Sequence, residues 1–304
     1  MLITLAWLAV GLDAGDRFRA EYPREVAALQ REFADVRGVA TLRRVAGQKL
    51  GQAASVRFAS GPDRAKFEFV SRSQRGSAQF DASGSVICRN DELCFRLART
   101  KKDGPYSLIS IGDDPHSRAQ FHTTFGKYMD APWTIASRGI LDMMGTDRFR
   151  IIGSRGLNEA GRDLIEVVFE SGHSSQKADL VRVAFDPAFH WAIVRAELRA
   201  GSFGDRLLER SKLDYFVGPS GSRYIHDVRL VDIAGKETLC EFGSVEFTET
   251  PAAEFTLAHY GLNDPMRKPR TDSSIAIRIG VFALAVGLLA LGRWLSRRAR
   301  RSAA

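Results

Sequence analysis

The 304 residues contain no HExxH, no GxSxG, no Walker loop and no GxGxxG that follows a strand and opens a helix. Those absences remove the short signatures of zinc proteases, α/β-hydrolases, P-loop enzymes and dinucleotide-binding folds. Histidine is scarce as well. The six histidines, His116, His122, His173, His190, His226 and His259, lack the short paired spacing of a metal site. His116 and His122, beside Asp113, Asp114 and Pro115, read as the polarity of a loop. Gly172-His173-Ser174-Ser175 places a base next to a hydroxyl, but neighbours on a strand project to opposite faces, so they cannot act together. No catalytic residue, metal or cofactor is expected. Low-complexity segments and strong internal repeats are missing too, and one large domain is the simplest reading.

Net charge is also missing from most of the chain. The formal +8 and the sequence pI near 9.6 invite a nucleic-acid reading. Yet nine Lys or Arg and one acid (Asp272) follow residue 266, which leaves 35 of each sign before it. A neutral domain has no general attraction for phosphate backbones, so no nucleic-acid partner is expected.

Long apolar runs are rare until Ile279–Gly292, IGVFALAVGLLALG. Ile275 to Ile277 and Trp294-Leu295 extend it toward the roughly 20 residues needed to cross hydrocarbon. Arg278 and Arg293 stand near its ends, where long stems reach the headgroups. Residues 274–295 are therefore expected to form a transmembrane helix, preceded by a stalk over 259–273. The Arg297, Arg298, Arg300 and Arg301 tail (296–304) biases the C-terminus to the cytoplasmic side. Residues 1–14 (MLITLAWLAVGLDA) resemble a secretory signal without a basic start, the alternative being the apolar end of the following helix. The expected localisation is a single-pass membrane protein whose ectodomain, 15–258, is extracytoplasmic, periplasmic or extracellular.

Within that domain, Pro23 is placed for a first helical turn. Val26, Leu29, Phe33 and Val36 then recur at helical spacing until Gly38. Thereafter the period is two: Phe67 and Phe69; Ala78 and Phe80; Leu93, Phe95 and Leu97; Phe149 and Ile151 before a glycine-rich turn; Ile165, Val167 and Phe169. Val181, Val183 and Phe185 run into Asp186-Pro187, and Trp191, Ile193 and Arg195 return. Strands near 213–217, 224–233 and 238–247 complete nine to eleven, joined by short turns into an antiparallel meander. One helix, over 132–144, interrupts them and ends at Gly145. The fold class expected is α+β and mainly antiparallel β: a curved open sheet or half-barrel covered by one or two helices, plus the C-terminal span.

This order of elements, from REFADVRGVATL through KFEFVSRS and RFRIIGSRG to LVRVAFDPAFHWAIVRAEL, resembles the LolA-like half-barrel lipoprotein carriers over residues 24–257. The resemblance implies an open half-barrel closed by helices around a cavity for acyl chains. The C-terminal anchor departs from soluble carriers and argues against free shuttling. The candidate walls of such a cavity are Phe67, Phe69, Phe80, Phe95, Phe149, Ile151, Val167, Phe169, Val183, Phe185 and Trp191, which could equally fill a closed core. A lipid or lipoprotein ligand is the leading partner. An envelope-protein partner, met through Tyr106, Tyr128, Trp133 or Tyr224, is the alternative. Cys88 and Cys94 flank a three-residue turn in a register that sets them opposite each other, where a disulfide could clamp the hairpin. Cys240 is left over and reads as a buried small hydrophobe.

Overall fold

The computed structural model describes residues 13–263, apart from 47–48, 62, 73–83, 100, 102–103, 115–116, 119–120, 173–177, 202–205 and 219–220. The signal-like residues up to 12, Phe80, His116, His173, most of the stalk, the expected span 274–295, its flanking arginines and the basic tail lie outside the described residues. Among the described residues, no helix is long and apolar enough to cross a membrane.

Chain order begins with a helix, α1 (Ala14–Glu32), which starts nine residues before the turn expected at Pro23. Phe18 and Tyr22 extend the apolar stripe of Val26 and Leu29 backwards, and burial of all four holds the helix through the internal proline. Val36, expected at the end of the helix, instead opens the first strand.

Six strands follow: β1 (Val36–Ala46), β2 (Lys49–Gly61), β3 (Arg64–Arg72), β4 (Ser85–Arg89), β5 (Cys94–Ala98) and β6 (Ser107–Gly112). The helix expected over 132–144 is mostly not helical. A π-helical turn (His122–Gly126) runs into a single helical turn, α2 (Lys127–Met129). Then comes a small hairpin, β7 (Thr134–Ile135) and β8 (Arg138–Gly139), and only Ile140–Met144 forms α3. Seven long strands complete the sheet: β9 (Arg150–Glu159), β10 (Arg162–Ser171), β11 (Asp179–Asp186), β12 (Ala192–Ala200), β13 (Arg206–Val217), β14 (Arg223–Asp232) and β15 (Glu237–Phe247). Strand β9 runs through Gly153 and Gly156, and the turn expected over 153–161 is confined to Ala160-Gly161 at its end.

Thirteen strands form one open antiparallel sheet in the order β6-β5-β4-β3-β2-β1-β15-β14-β13-β12-β11-β10-β9. Every neighbour is a sequence neighbour except β1 and β15, so a single seam joins two half-sheets. The edges β6 and β9 are consecutive main-sheet strands, and the segment 113–149 that links them must therefore cross the width of the sheet. The sheet is curved. Phe58 on β2 and Tyr224 on β14 are three strand spacings apart, about 14 Å in a flat sheet. Their ring centroids are nevertheless 6.2 Å apart.

The concave face carries the core. One apolar cluster joins α1 (Phe18, Tyr22, Val26, Leu29), the inward residues of the sheet and the crossing segment (Phe121, Phe125, Ile135, Ile140). The opposite face of β10–β13 is ionic: Glu166, 5 % exposed, is paired with both Arg155 and Arg195, and Glu197 with Arg199 and Arg210. A β-bulge at Val194 reverses the parity of β12, so Ile193 packs inward while Arg195 and Glu197 project outward.

Candidate functional site

A cleft of about 580 Å³ remains between α1, the β2–β3 turn and the crossing segment. One wall is the C-terminal half of α1 (Val26, Gln30, Arg31, Phe33). A second is the β2–β3 turn (Ser60, Asp63, Arg64, Ala65). The third is the crossing segment, with Met129, Trp133, Ile140 and Leu141. Tyr22, Phe121 and Tyr224 make the floor, each buried. The floor is therefore apolar and aromatic, whereas the rim mixes Arg31, Arg64 and Arg89 with Asp63, Asp130 and Asp142. An apolar floor under a polar rim suits an amphiphilic ligand, and the volume is that of an ordinary small-molecule site.

Each wall is fastened. The His190 ring bridges Glu25 (2.8 Å) and Glu32 (3.1 Å) of α1, and Trp191 Nε1 donates to Glu21 (3.1 Å). Ser60 Oγ donates to Phe33 O at the end of α1, tying the helix to the β2–β3 turn. The β7–β8 hairpin is held by Ile193 N–H donating to Pro132 O (2.9 Å) and by Arg138 paired with Asp179 (2.8 Å).

That hairpin turns through Ala136 (φ 50°) and Ser137 (φ 60°), both left-handed and neither glycine. Such residues persist only where their surroundings impose the conformation. Here Glu209 on β13 accepts from Ala136 N–H at 2.7 Å. Burial raises the Glu209 carboxyl above the usual carboxylate range, against the lowering effects of that hydrogen bond and of the Lys127 charge. A raised folded-state value means stability that is present below the ordinary value of 4.5 and is lost as pH rises through the folded one. Glu209→Gln, which keeps an acceptor, is therefore expected to raise the thermal midpoint at pH 7, with the gap closing toward pH 4.5. Calorimetry of both proteins across that range checks it; a lower midpoint for the variant at pH 7 would show that the charge supports the hairpin.

The residues expected to wall a cavity mostly lie elsewhere. Phe67, Phe69, Val167, Phe169, Val183, Phe185 and Trp191 are within the packed core, at 0–2 % exposure, and Phe149 and Ile151 pack against it half-buried. None of them lines the cleft. Phe95 is on the convex face, where its ring meets Tyr260, 6.2 Å between centroids. There Phe255, Leu257 and Tyr260 of the segment after β15 cover β4 and β5, and Asn90 Nδ2 donates to Phe255 O at 2.9 Å. Of the aromatics expected to form an outer docking patch, Tyr128 and Tyr224 are buried, and Tyr106 packs on Tyr260 while donating to Glu68. Trp133 alone borders the cleft half-buried.

The disulfide expectation is corrected. Cys88, Cys94 and Cys240 are free and buried. Cys88 faces Phe95, and Arg89 faces Cys94, one residue away from the expected register. That slip sends the two thiols to opposite faces of the hairpin, because side chains alternate along a strand. Burial pushes all three thiols up, which keeps them protonated and unreactive. Among the described residues, no three His, Cys, Asp or Glu side chains are placed to hold a metal ion.

The cleft residues were hard to read from sequence because they come from three distant segments. Of the cleft residues, the sequence marks Val26 and Phe33 through the helical stripe, Trp133 and Tyr224 as aromatics, and Ile140 and Leu141 through the apolar spacing of 132–144.

No protein-family model matches the sequence, and comparison with curated proteins returns no match. Among solved structures, the chain is similar to a domain named for outer-membrane lipoprotein sorting from Vibrio parahaemolyticus, at 11% identity and a TM-score of 0.46, covering 78% of this chain and 97% of that one. It is also similar to a LolA superfamily protein from Nitrosomonas europaea, at 12% identity and a TM-score of 0.40, covering 77% and 98%. A DUF1329 family protein from Desulfovibrio piger is similar at 13% identity and a TM-score of 0.46, covering 82% and 100%.

Proposed function

We propose that this protein is a membrane-tethered, extracytoplasmic binding protein that holds a lipid or an acyl chain of a lipoprotein in the cleft between α1 and the crossing segment, and that it acts by binding alone. The observation that carries the reading is the cleft: a fastened opening with an aromatic floor, beside the packed core of the concave face. The tether rests on the apolar residues 274–295 and their arginines. A second copy of a soluble carrier's task does not fit a fixed domain, so the reading is capture or handover beside the bilayer.

Native mass spectrometry of the full chain purified with its lipids tests the reading. The expected result is a one-to-one apolar adduct. Ala34, half-buried on the cleft wall, supplies the control. Ala34→Trp should fill the opening and lower ligand affinity at least tenfold, while the thermal midpoint moves by no more than about 4 °C. A chain that carries no adduct and takes up no added lipid would end the lipid reading.

A further inference from the structure

Of the two tyrosines in the aromatic floor, Tyr22 carries a buried hydroxyl without a partner among the described residues. Tyr22 is fully buried between α1 and the sheet, its ring 5.0 Å from Phe18 and 5.2 Å from Phe185, and it lines the cleft. Its hydroxyl has no hydrogen-bond partner among the described residues. A buried hydroxyl left unpaired is unfavourable, and folded proteins seldom keep one without a use. The neighbouring Tyr215 hydroxyl shows the contrast, since it donates to Ile193 O. Burial, with the Asp142 carboxylate adding to it, holds the Tyr22 phenol far above its ordinary pKa, so it remains an O–H donor at any physiological pH. Asp142 itself lines the cleft, so the phenol oxygen is close enough to the cleft's charged rim to feel it.

We propose that the cleft takes a single-chain amphiphile bearing a neutral carbonyl, an ester or an amide, and that the Tyr22 hydroxyl donates to that carbonyl. The inference rests on the binding function proposed above and adds three terms to it. The chain number follows from volume: 580 Å³ suits one ligand of ordinary size and has no room for the bundled chains of a diacyl or triacyl lipid. The acceptor follows from the unpartnered donor. A neutral acceptor is favoured because Asp142 lines the same cleft and acts on the phenol, which weighs against a second negative charge at that donor, while Arg31, Arg64 and Arg89 lie at the rim. The carbonyl could come from a monoacyl phospholipid, as an ester, or from an acylated peptide, as an amide.

Calorimetric titration of the full chain with three 16-carbon probes, each below its micelle concentration, tests the assignment: palmitoyl lysophosphatidylcholine, hexadecylphosphocholine, which has the same headgroup and no carbonyl, and an N-palmitoyl peptide amide. The ester or the amide should bind about five to ten times more tightly than the carbonyl-free probe. Tyr22→Phe should erase that preference and leave hexadecylphosphocholine affinity unchanged. Whichever carbonyl compound shows the larger Tyr22-dependent gain identifies the source. Equal affinities for all three probes in the unaltered chain, or an equal loss for all three in Tyr22→Phe, would overturn the role of Tyr22 while leaving chain binding intact. Failure of all three to bind would instead remove the function on which the inference rests.

Discussion

Phe18→Ala is expected to lower the unfolding free energy by about 3–5 kcal/mol, the range for truncating a fully buried phenylalanine. Phe18 has no exposed surface, and its ring contacts those of Tyr22, Phe169, Phe185 and Trp191 at centroid distances of 5.0–6.4 Å. It is the pin by which α1 sits on β10–β12. Removing it should loosen the wall of the cleft as well as the core, because the polar fastenings of the helix, His190 to Glu25 and Trp191 to Glu21, are partly exposed and worth far less than the buried ring. Phe18→Leu, which keeps most of the volume, should lose less than about 1.5 kcal/mol. Urea titrations of the three proteins, read by near-ultraviolet circular dichroism, give the comparison. A loss below about 1 kcal/mol for Phe18→Ala would mean that α1 is not held by its aromatic stripe.

The parts of this fold legible in the sequence are those where one strong alternation stands between turn residues. KFEFV became β3, and the pair around Asp186-Pro187 became β11 and β12. Strands β1 and β2 were passed over because small and charged residues occupy their outward positions and much of their inward ones, Ala40 and Ala54 included, so little hydrophobic contrast marks the period. The start of α1 was hidden by the apolar residues before it and by Pro23, which looks like a first-turn proline and is an interior one. The 132–144 segment has the spacing of a helix, yet the left-handed Ala136-Ser137 pair makes Thr134–Gly139 a hairpin, with Glu209, 73 residues away, accepting from Ala136 N–H, and leaves only Ile140–Met144 helical. Phe67, Phe69, Phe169 and Phe185 were legible as inward, whereas Phe95, expected among them, faces the convex side. That the inward ones pack into one core, with a cleft where α1 meets the crossing segment, depends on how far the sheet curls, a property of thirteen strands together.

The curl has one point of mechanical dependence, and the last prediction addresses it. Gly38→Ala is expected to destabilise the protein by about 2–4 kcal/mol, at the upper end for an overpacked site, because the clash is with main chain. A Cβ on Gly38 would stand 2.1 Å from Ser244 O, where β15 bulges against β1 between Phe242 and Val245. Within the main sheet, β1 and β15 are the neighbours not consecutive in sequence, so this seam alone unites the two half-sheets. Elsewhere a strained strand pair could fray toward an edge. Here β1 is also paired on its far side, Gly38 with Phe58 of β2, so it cannot yield without breaking that pairing or parting from β15, whose own pairing with β14 covers Glu237–Glu241. Since the opposing atom is a carbonyl oxygen, truncating the Ser244 side chain brings no relief, and Gly38→Ala combined with Ser244→Ala should be as unstable as Gly38→Ala alone. Denaturation midpoints of the single and double variants decide the matter. Recovery in the double variant would place the conflict in side chains, whereas equal loss fixes it in the close approach of two backbones at the seam on which the concave face depends.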